Sequence, residues 1–318
     1  IYAVTLSGKD RPIYYGLGSL TLHDMSQNGR VIVTREQTRL GIICLAPGEG
    51  CERDLSWFDW SLARDLSADG RSLLFTEAGK GGGATYIVYL RKTDGSPAQQ
   101  LGEGSALALS PDGRWALAKI TTSPAQLVLL PIGTGESKLI ERAPLTYQPW
   151  ACWFADGERI LFAANEAGRG TRLYVQHISG GEPQTITPRT EGVELCSPHS
   201  ISPDSRIIAA VGPDNLIHLY PVDGGEPQRV RGAESGDMPV RWSKDGRSLL
   251  VRKRGEVPAV VYQLDLATGQ KVLWRELILP NGMGVDEILR VLLTPDGEGY
   301  AYTYTRGLSD LYLIDRLQ

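Results

Sequence analysis

Six ionisable side chains hold comparable places along this chain. His23, Asp24, Arg64, Asp65, His199 and Arg241 each stand four or five residues before a recurring turn. Trp57, Trp60, Tyr147 and Trp150 fall in loops close to them. Mixed charge beside aromatic surface suits recognition of a peptide, a glycan or another protein. The same residue types also suit mutual neutralisation. Asp24, Arg64, Asp65 and Arg241 can pair between adjacent strands, because buried charges near an axis find partners.

Covalent and metal chemistry lack their usual spacings. No G-x-S-x-G elbow occurs, which argues against a hydrolase domain within these residues. His23, His177, His199 and His218 form no H-x-x-x-H or H-E-x-x-H pair, and His177 and His218 read as packing or surface residues. Gly79-Lys80-Gly81-Gly82-Gly83 lacks the Lys-Ser/Thr ending of a phosphate cradle and lies between strands, so it reads as a flexible loop. Glu158 and Glu166 have no spacing that singles them out. Cys44, Cys51, Cys152 and Cys196 contain no C-x-x-C pair and predict no structural zinc. Cys44 and Cys51 flank the turn at 46–50, where either a disulfide or two small buried thiols fits. The expectation is a chain with no catalytic residue, no metal and no cofactor.

The elements that must position these residues come from a repeat. Ser110-Pro111-Asp112-Gly113-Arg114-Trp115-Ala116-Leu117-Ala118 is its cleanest copy, a turn followed by an apolar run. Relatives turn on Asn28-Gly29, Asp69-Gly70, Asp156-Gly157, Asp204-Ser205, Asp245-Gly246 and Asp296-Gly297, 41 to 51 residues apart. That period matches one four-stranded propeller blade. Three residues before each turn stands a large apolar residue: Met25, Leu66, Leu109, Trp153, Ile201, Trp242 or Leu293. All seven read as parts of inner strands wedged between neighbouring blades.

Each repeat parses as four strands. In the third they are Ala106–Leu109, Trp115–Ile120, Gln126–Pro131 and Ser137–Ile140. Asp-Gly closes the first hairpin because glycine accepts positive φ and the carboxylate bonds the turn's own amides. The outermost strands carry proline and charge, as edges that must not pair with other chains do. The last repeat has no fourth strand before the chain ends, while the N-terminus has spare strand material at 1–6 and 12–15. The expectation is an all-β, seven-bladed β-propeller spanning 1–318 as one domain, with an N-terminal strand completing the last blade. A six-bladed ring would leave one repeat outside. At Asp204-Ser205 the glycine is missing, and the most strained turn is expected there.

Composition agrees with such a fold. The 318 residues are 42% hydrophobic and 22% charged, with 13 Tyr, 7 Trp, only 4 Phe and 37 Gly. A net charge of -4 gives no basic footprint for nucleic acid. No apolar run approaches a bilayer span, and no membrane contact is expected from these residues. The start, Ile1-Tyr2-Ala3-Val4-Thr5-Leu6, reads as a mature or excised fragment entering directly as a strand.

In such a blade the first and third connections share one face of the disc, and the second and fourth share the other. The irregular loops, among them 56–61, 78–83, 142–149, 165–170, 188–198 and 279–286, all fall on the second face. Binding residues concentrate on variable loops held by a rigid frame. The expected site is therefore that face and the channel mouth, with Arg64, Asp65 and His199 at one mouth together.

The repeats, above all Leu109-Ser110-Pro111-Asp112-Gly113-Arg114-Trp115-Ala116-Leu117, resemble the TolB-type propeller repeat, also found in the propellers of prolyl oligopeptidase relatives. Ser19-Leu20-Thr21-Leu22-His23-Asp24, Asp54-Leu55-Ser56-Trp57, Tyr89-Leu90-Arg91-Lys92-Thr93-Asp94-Gly95 and Leu308-Ser309-Asp310-Leu311-Tyr312-Leu313 are similar to the propeller of bacterial membrane-anchored serine/threonine kinases. In those proteins the kinase lies N-terminal to a membrane segment and the propeller C-terminal to it. The resemblance implies an extracytoplasmic sensor or docking module for a protein, peptide or cell-envelope ligand, monomeric as an isolated domain. No V-A-I-K, H-R-D or D-F-G triplet occurs, so no kinase activity is assigned to these residues. The competing expectations are a gating propeller of a peptidase, a propeller enzyme using channel residues, and a purely structural scaffold.

Overall fold

Five of the repeat turns close through one small set of bonds. The Asp156 turn, with Phe154 in place of the hydroxyl residue, keeps the carboxylate–amide bonds and lacks the hydroxyl ones. The Ser110 hydroxyl donates to Asp112 Oδ1 at 2.6 Å and accepts from the Trp115 amide at 2.9 Å. Asp112 Oδ1 also accepts from the Arg114 amide, and the Gly113 amide donates to the Ser110 carbonyl. Ser67/Asp69, Ser202/Asp204, Ser243/Asp245 and Thr294/Asp296 repeat the hydroxyl–carboxylate bond. The residue after each Asp has positive φ, +68° at Gly113, and Ser205 takes the same conformation at 62° without being glycine. The strained turn lies where the missing glycine put it.

The computed structural model describes residues 2–12, 19–79, 85–141, 145–166, 168–187, 193, 195–279 and 282–315. All its regular elements there are strands. Among the described residues there is no helix long and apolar enough to cross a membrane. β1 (Tyr2–Val4) and β2 (Asp10–Pro12) pair only with each other. β3 (Ser19–Met25), β4 (Val31–Leu45) and β5 (Arg53–Asp54) follow. Antiparallel sheets then come in sequence order. The first holds β6 (Ser61–Leu66), β7 (Ser72–Glu77), β8 (Ile87–Lys92) and β9 (Gln99–Glu103). The second holds β10 (Ser105–Leu109), β11 (Trp115–Ile120), β12 (Gln126–Pro131) and β13 (Lys138–Leu139). The third is β14 (Thr146–Trp153), β15 (Arg159–Asn165), β16 (Thr171–His177) and β17 (Gln184–Thr185).

Two further four-stranded units share one sheet. They are β18 (Leu195–Ile201), β19 (Ile207–Val211), β20 (Ile217–Pro221), β21 (Gln228–Arg229), and β22 (Asp237–Trp242), β23 (Ser248–Lys253), β24 (Ala259–Asp265), β25 (Lys271–Leu277). Their innermost strands, β18 and β22, touch in parallel through His199 and Arg241. The last unit is composite. β26 (Val285–Leu293) pairs with β27 (Tyr300–Ile314), β27 with β4, and the inner half of β4 with β5.

The described residues therefore form six four-stranded units, not the seven that the turns predict. The reason is the length of β4 and β27. They pair from Tyr300↔Leu45 to Ile314↔Val31, so the first repeat's second strand serves as the third strand of the last unit. The outer halves of β4 and β27, with β3, form a three-stranded extension carrying the Asn28-Gly29 turn. Met25 is accordingly 59% exposed rather than wedged between blades. The closing strands come from 31–54, not from the spare material at 1–6 and 12–15; residues 13–15 lie outside the described residues.

Apolar packing follows the same order. Six buried clusters each span two neighbouring units, from Leu74 and Val88 against Ala116 and Val128 to Ile42 and Cys44 against Phe75 and Ala63. The innermost strands β6, β10, β14, β18, β22 and β26 contact one another in succession, and β26 contacts β6. Cys44 is buried and Cys51 exposed, and both are free thiols, so no disulfide crosses the 46–50 turn. Burial pushes the Cys44 thiol up to about 12.

Candidate functional site at the turn end of the channel

A bulge in β6 between Ala63 and Asp65 separates two neighbouring residues. Arg64 Nη2 reaches Ser105 Oγ at 3.0 Å, and its Nε reaches Thr76 Oγ1, toward the loop end of the inner strands. Asp65 turns the other way. Its Oδ1 accepts from the Leu66 amide at 2.8 Å and its Oδ2 from the Leu109 amide at 2.7 Å. Asp65 thereby ties the first unit to the second, at the level of the turns.

His199 and Arg241 meet Asp65 there. His199 Nε2 lies 3.4 Å from Asp65 Oδ1, and Arg241 Nη1 donates to the Leu293 carbonyl at 2.7 Å. The three line a cavity of about 530 Å³ whose rim is the pair of turns at 67–69 and 110–113. A smaller cavity of about 250 Å³ shares His199, Arg241 and Trp153, and runs beneath Ser202, Ser205, Ser243 and Pro295. The concavity thus opens at the Asp-Gly turns, opposite the irregular loops where the site was expected.

Burial governs the charges. It pushes the Asp65 carboxyl up to about 7, against the pull of the Leu109 and Leu66 amides and of Arg241. His199 is held well below the ordinary imidazole value by burial first and by Arg241 second. Burial also lowers Arg241, opposed by Asp65 and Asp296. Near neutral pH the site is a neutral imidazole, a guanidinium and a carboxyl poised to take or lose a proton. Trp153 adds a donor that sequence reasoning missed, having read it as an inner-strand apolar residue. It is 8% exposed and lines both cavities, and its buried Nε1 has no hydrogen-bond partner among the described residues.

The other expected residues lie elsewhere. His23 and Asp24 sit exposed on β3 in the extension, where His23 Nε2 meets Thr34 Oγ1 at 2.8 Å, because β3 pairs outside the ring of inner strands. Tyr147 and Trp150 are core residues, packed in separate clusters on either side of β14. Trp57 is half-buried under the Arg91 guanidinium, 5.2 Å from its ring centre. Trp60 stands 5.9 Å from the Tyr86 ring, with its amide on Glu77. Among the described residues no group of three or more His, Cys, Asp or Glu is placed to hold a metal ion.

No family model and no curated protein matches the chain. Solved structures do. A protein described as TolB from Agrobacterium tumefaciens superposes with a TM-score of 0.62 at 19% identity, covering 86% of this chain and 99% of that one. The fold is that of a TolB-type β-propeller. TolB from Acinetobacter baumannii gives 0.55 at 17% identity over 77% of this chain and 66% of that one. An oligogalacturonate lyase from Vibrio parahaemolyticus gives 0.51 at 16% identity over 82% and 77%. At these identities the likeness is one of fold.

Proposed function

We propose that this chain is a closed six-bladed, non-catalytic binding propeller. It serves as the extracytoplasmic sensor or docking module, periplasmic or at the cell surface, of a larger bacterial signalling protein such as a receptor-like serine/threonine kinase. Its ligand is a protein, peptide or cell-envelope fragment received at the turn-end mouth. The observation that carries this reading is the convergence of Arg241, Asp65 and His199, with Trp153, in the lining of one concavity. The Arg241 guanidinium favours a ligand that carries a carboxylate. The resemblance of 19–24, 54–57, 89–95 and 308–313 to kinase-associated propellers supports the signalling context.

A peptide library selected on the wild-type chain and counter-selected on Arg241→Gln tests the binding reading. Acidic peptides enriched on the wild type alone are expected. Equal enrichment on both would remove the turn-end mouth as the site.

One observation favours a second reading, a propeller enzyme working through the channel. A carboxyl near neutrality beside an imidazole is matched to proton transfer. Ultraviolet-detected cleavage of oligogalacturonate, absent in Asp65→Asn, would favour it over the binding module.

A further inference from the structure

The three-stranded extension has an open edge. The Gly307 amide donates to the Gly284 carbonyl at 2.9 Å, so β27 turns the backbone groups of residue 307 away from β4. β26 begins at Val285 and pairs no further along β27 than Arg306. The ladder of β27 with β4 continues to Ile314 without a register shift. Backbone groups alternate sides along a strand. Ser309, Leu311 and Leu313 therefore present their amides and carbonyls on the same side as Gly307, and none of the described residues bonds to them there.

This edge lacks the protection that the rim strands have. β13, β17 and β21, outermost in their units, are two residues long. Residues 308–314 contain no proline and no lysine, and their one charge, Asp310, is held by Arg35 Nη2 at 2.7 Å. Leu311 and Leu313, 71% and 59% exposed, share one face with Ile32 of β4. A long, apolar, unpaired edge is a template for another strand. The ends of the gap limit which strand fits. Gly284 closes it at Gly307, which leaves 308–314. A second copy of the same stretch, antiparallel and with Leu311 on the two-fold axis, fills that length. Leu308 then faces Ile314 of the copy, and Asp310 faces Tyr312, whose hydroxyl lies 3.4 Å from Asp310 Oδ2 within one chain. Moving the axis to Asp310 opposes two aspartates and runs into the bond at Gly307; moving it to Tyr312 sets Asp310 against Ile314. The stretch is thus self-complementary in one register, as a two-fold contact requires.

We propose that the outer half of β27 is a dimerisation edge, on which two copies of this chain pair residues 308–314 antiparallel and join their extensions into one continuous sheet. This replaces the monomer that the family resemblance implies. It is independent of the reading given to the turn-end mouth.

Sedimentation velocity across the micromolar range, on the whole chain, tests the edge. The wild-type mass is expected to rise with concentration from one chain toward two, and Leu311→Lys to stay at one chain throughout. Leu311 is exposed, so the lysine variant is expected to keep its fold, which its Tm at the lowest concentration checks. Cross-linking reads the register. In a Cys51→Ser background, Leu311→Cys is expected to form a covalent dimer under air oxidation, because a residue on the axis meets its own copy at about 5.5 Å between Cα atoms. Ser309→Cys is expected to form none, its copy being displaced by about 13 Å along the strand. A wild type that stays at one chain at every concentration would overturn the proposal. If such a chain dimerises once residues 1–12 are removed, its own N-terminal hairpin holds the edge instead. A dimer that survives Leu311→Lys, or equal cross-linking of the two cysteine variants, would overturn it as well.

Discussion

At Ser205 a side chain occupies a backbone conformation that five sister turns give to glycine at φ between +67° and +73°. An L-residue pays roughly 1 kcal/mol there. Ser205→Gly is therefore expected to stabilise the chain by about 0.5–1 kcal/mol, read as a higher denaturant midpoint with unchanged slope; a lower midpoint would contradict it. Asp65 makes the opposite kind of statement, through pH. Its folded-state value near 7 lies above the ordinary carboxylate value, so between about pH 4 and 7 the folded chain holds a proton that the unfolded chain has released. Its contribution is greatest below about pH 4 and declines as pH rises to 7. The turn aspartates Asp69, Asp112, Asp204, Asp245 and Asp296 are lowered by their hydroxyl partners, and their contribution is lost only as pH falls below the carboxylate range. The two windows do not overlap. Stability profiles of the wild type and Asp65→Asn are expected to diverge across pH 4–7 by on the order of 4 kcal/mol. Parallel profiles would mean that Asp65 keeps its charge.

Among the elements, the pairing of β4 with β27 is tight at Gly41 and Tyr304. A Cβ on Gly41 would stand 2.4 Å from Tyr304 Cζ, so the tyrosine ring lies flat across the glycine. Gly41→Ala is expected to cost about 1–3 kcal/mol, with partial recovery when Tyr304→Ala is added. β1 and β2, by contrast, pair only with each other, and Tyr2, Val4, Asp10 and Arg11 are exposed. Deleting residues 1–12 is expected to leave Tm within about 1 °C. The repeat legible in the sequence is local chemistry: an Asp followed by a residue at positive φ, and the apolar residue three places before it, and both lie as read in six units. The seventh copy, at Asn28-Gly29, has the same local chemistry but a different partner. Nothing in a turn records which strand its flanks will pair with. Inner-strand position placed Arg64, Asp65 and His199 at one mouth; Asp65 and His199 do meet, but with Arg241 in place of Arg64. Their end of the channel was not legible, since a one-residue bulge decides whether Arg64 and Asp65 point together or apart. The Trp153 donor was hidden because the same residue type also serves as a wedge.

For the molecule as a whole, the decisive fact is that the last unit borrows half its strands from the start of the chain. β26 and β27 come from the C-terminal end, while β4 and β5 come from residues 31–54. Ile42 and Cys44 reach one inter-unit cluster and Ile43 the next, so this one segment buries apolar surface against both neighbours. Without it, β27 has an unpaired edge beside two opened clusters, and non-local pairing has nothing to offset the entropy of ordering the ring. Residues 55–318 alone are expected to unfold without a cooperative transition and to bind a hydrophobic dye. Adding residues 28–54 as a separate peptide is expected to restore cooperativity, with a Tm that rises with peptide concentration as mass action requires. A peptide carrying Gly41→Ala should restore it less well, because the clash with Tyr304 travels with the segment. Cooperative unfolding of 55–318 by itself, at the wild-type midpoint, would show that the six-unit arrangement holds without its closing strands.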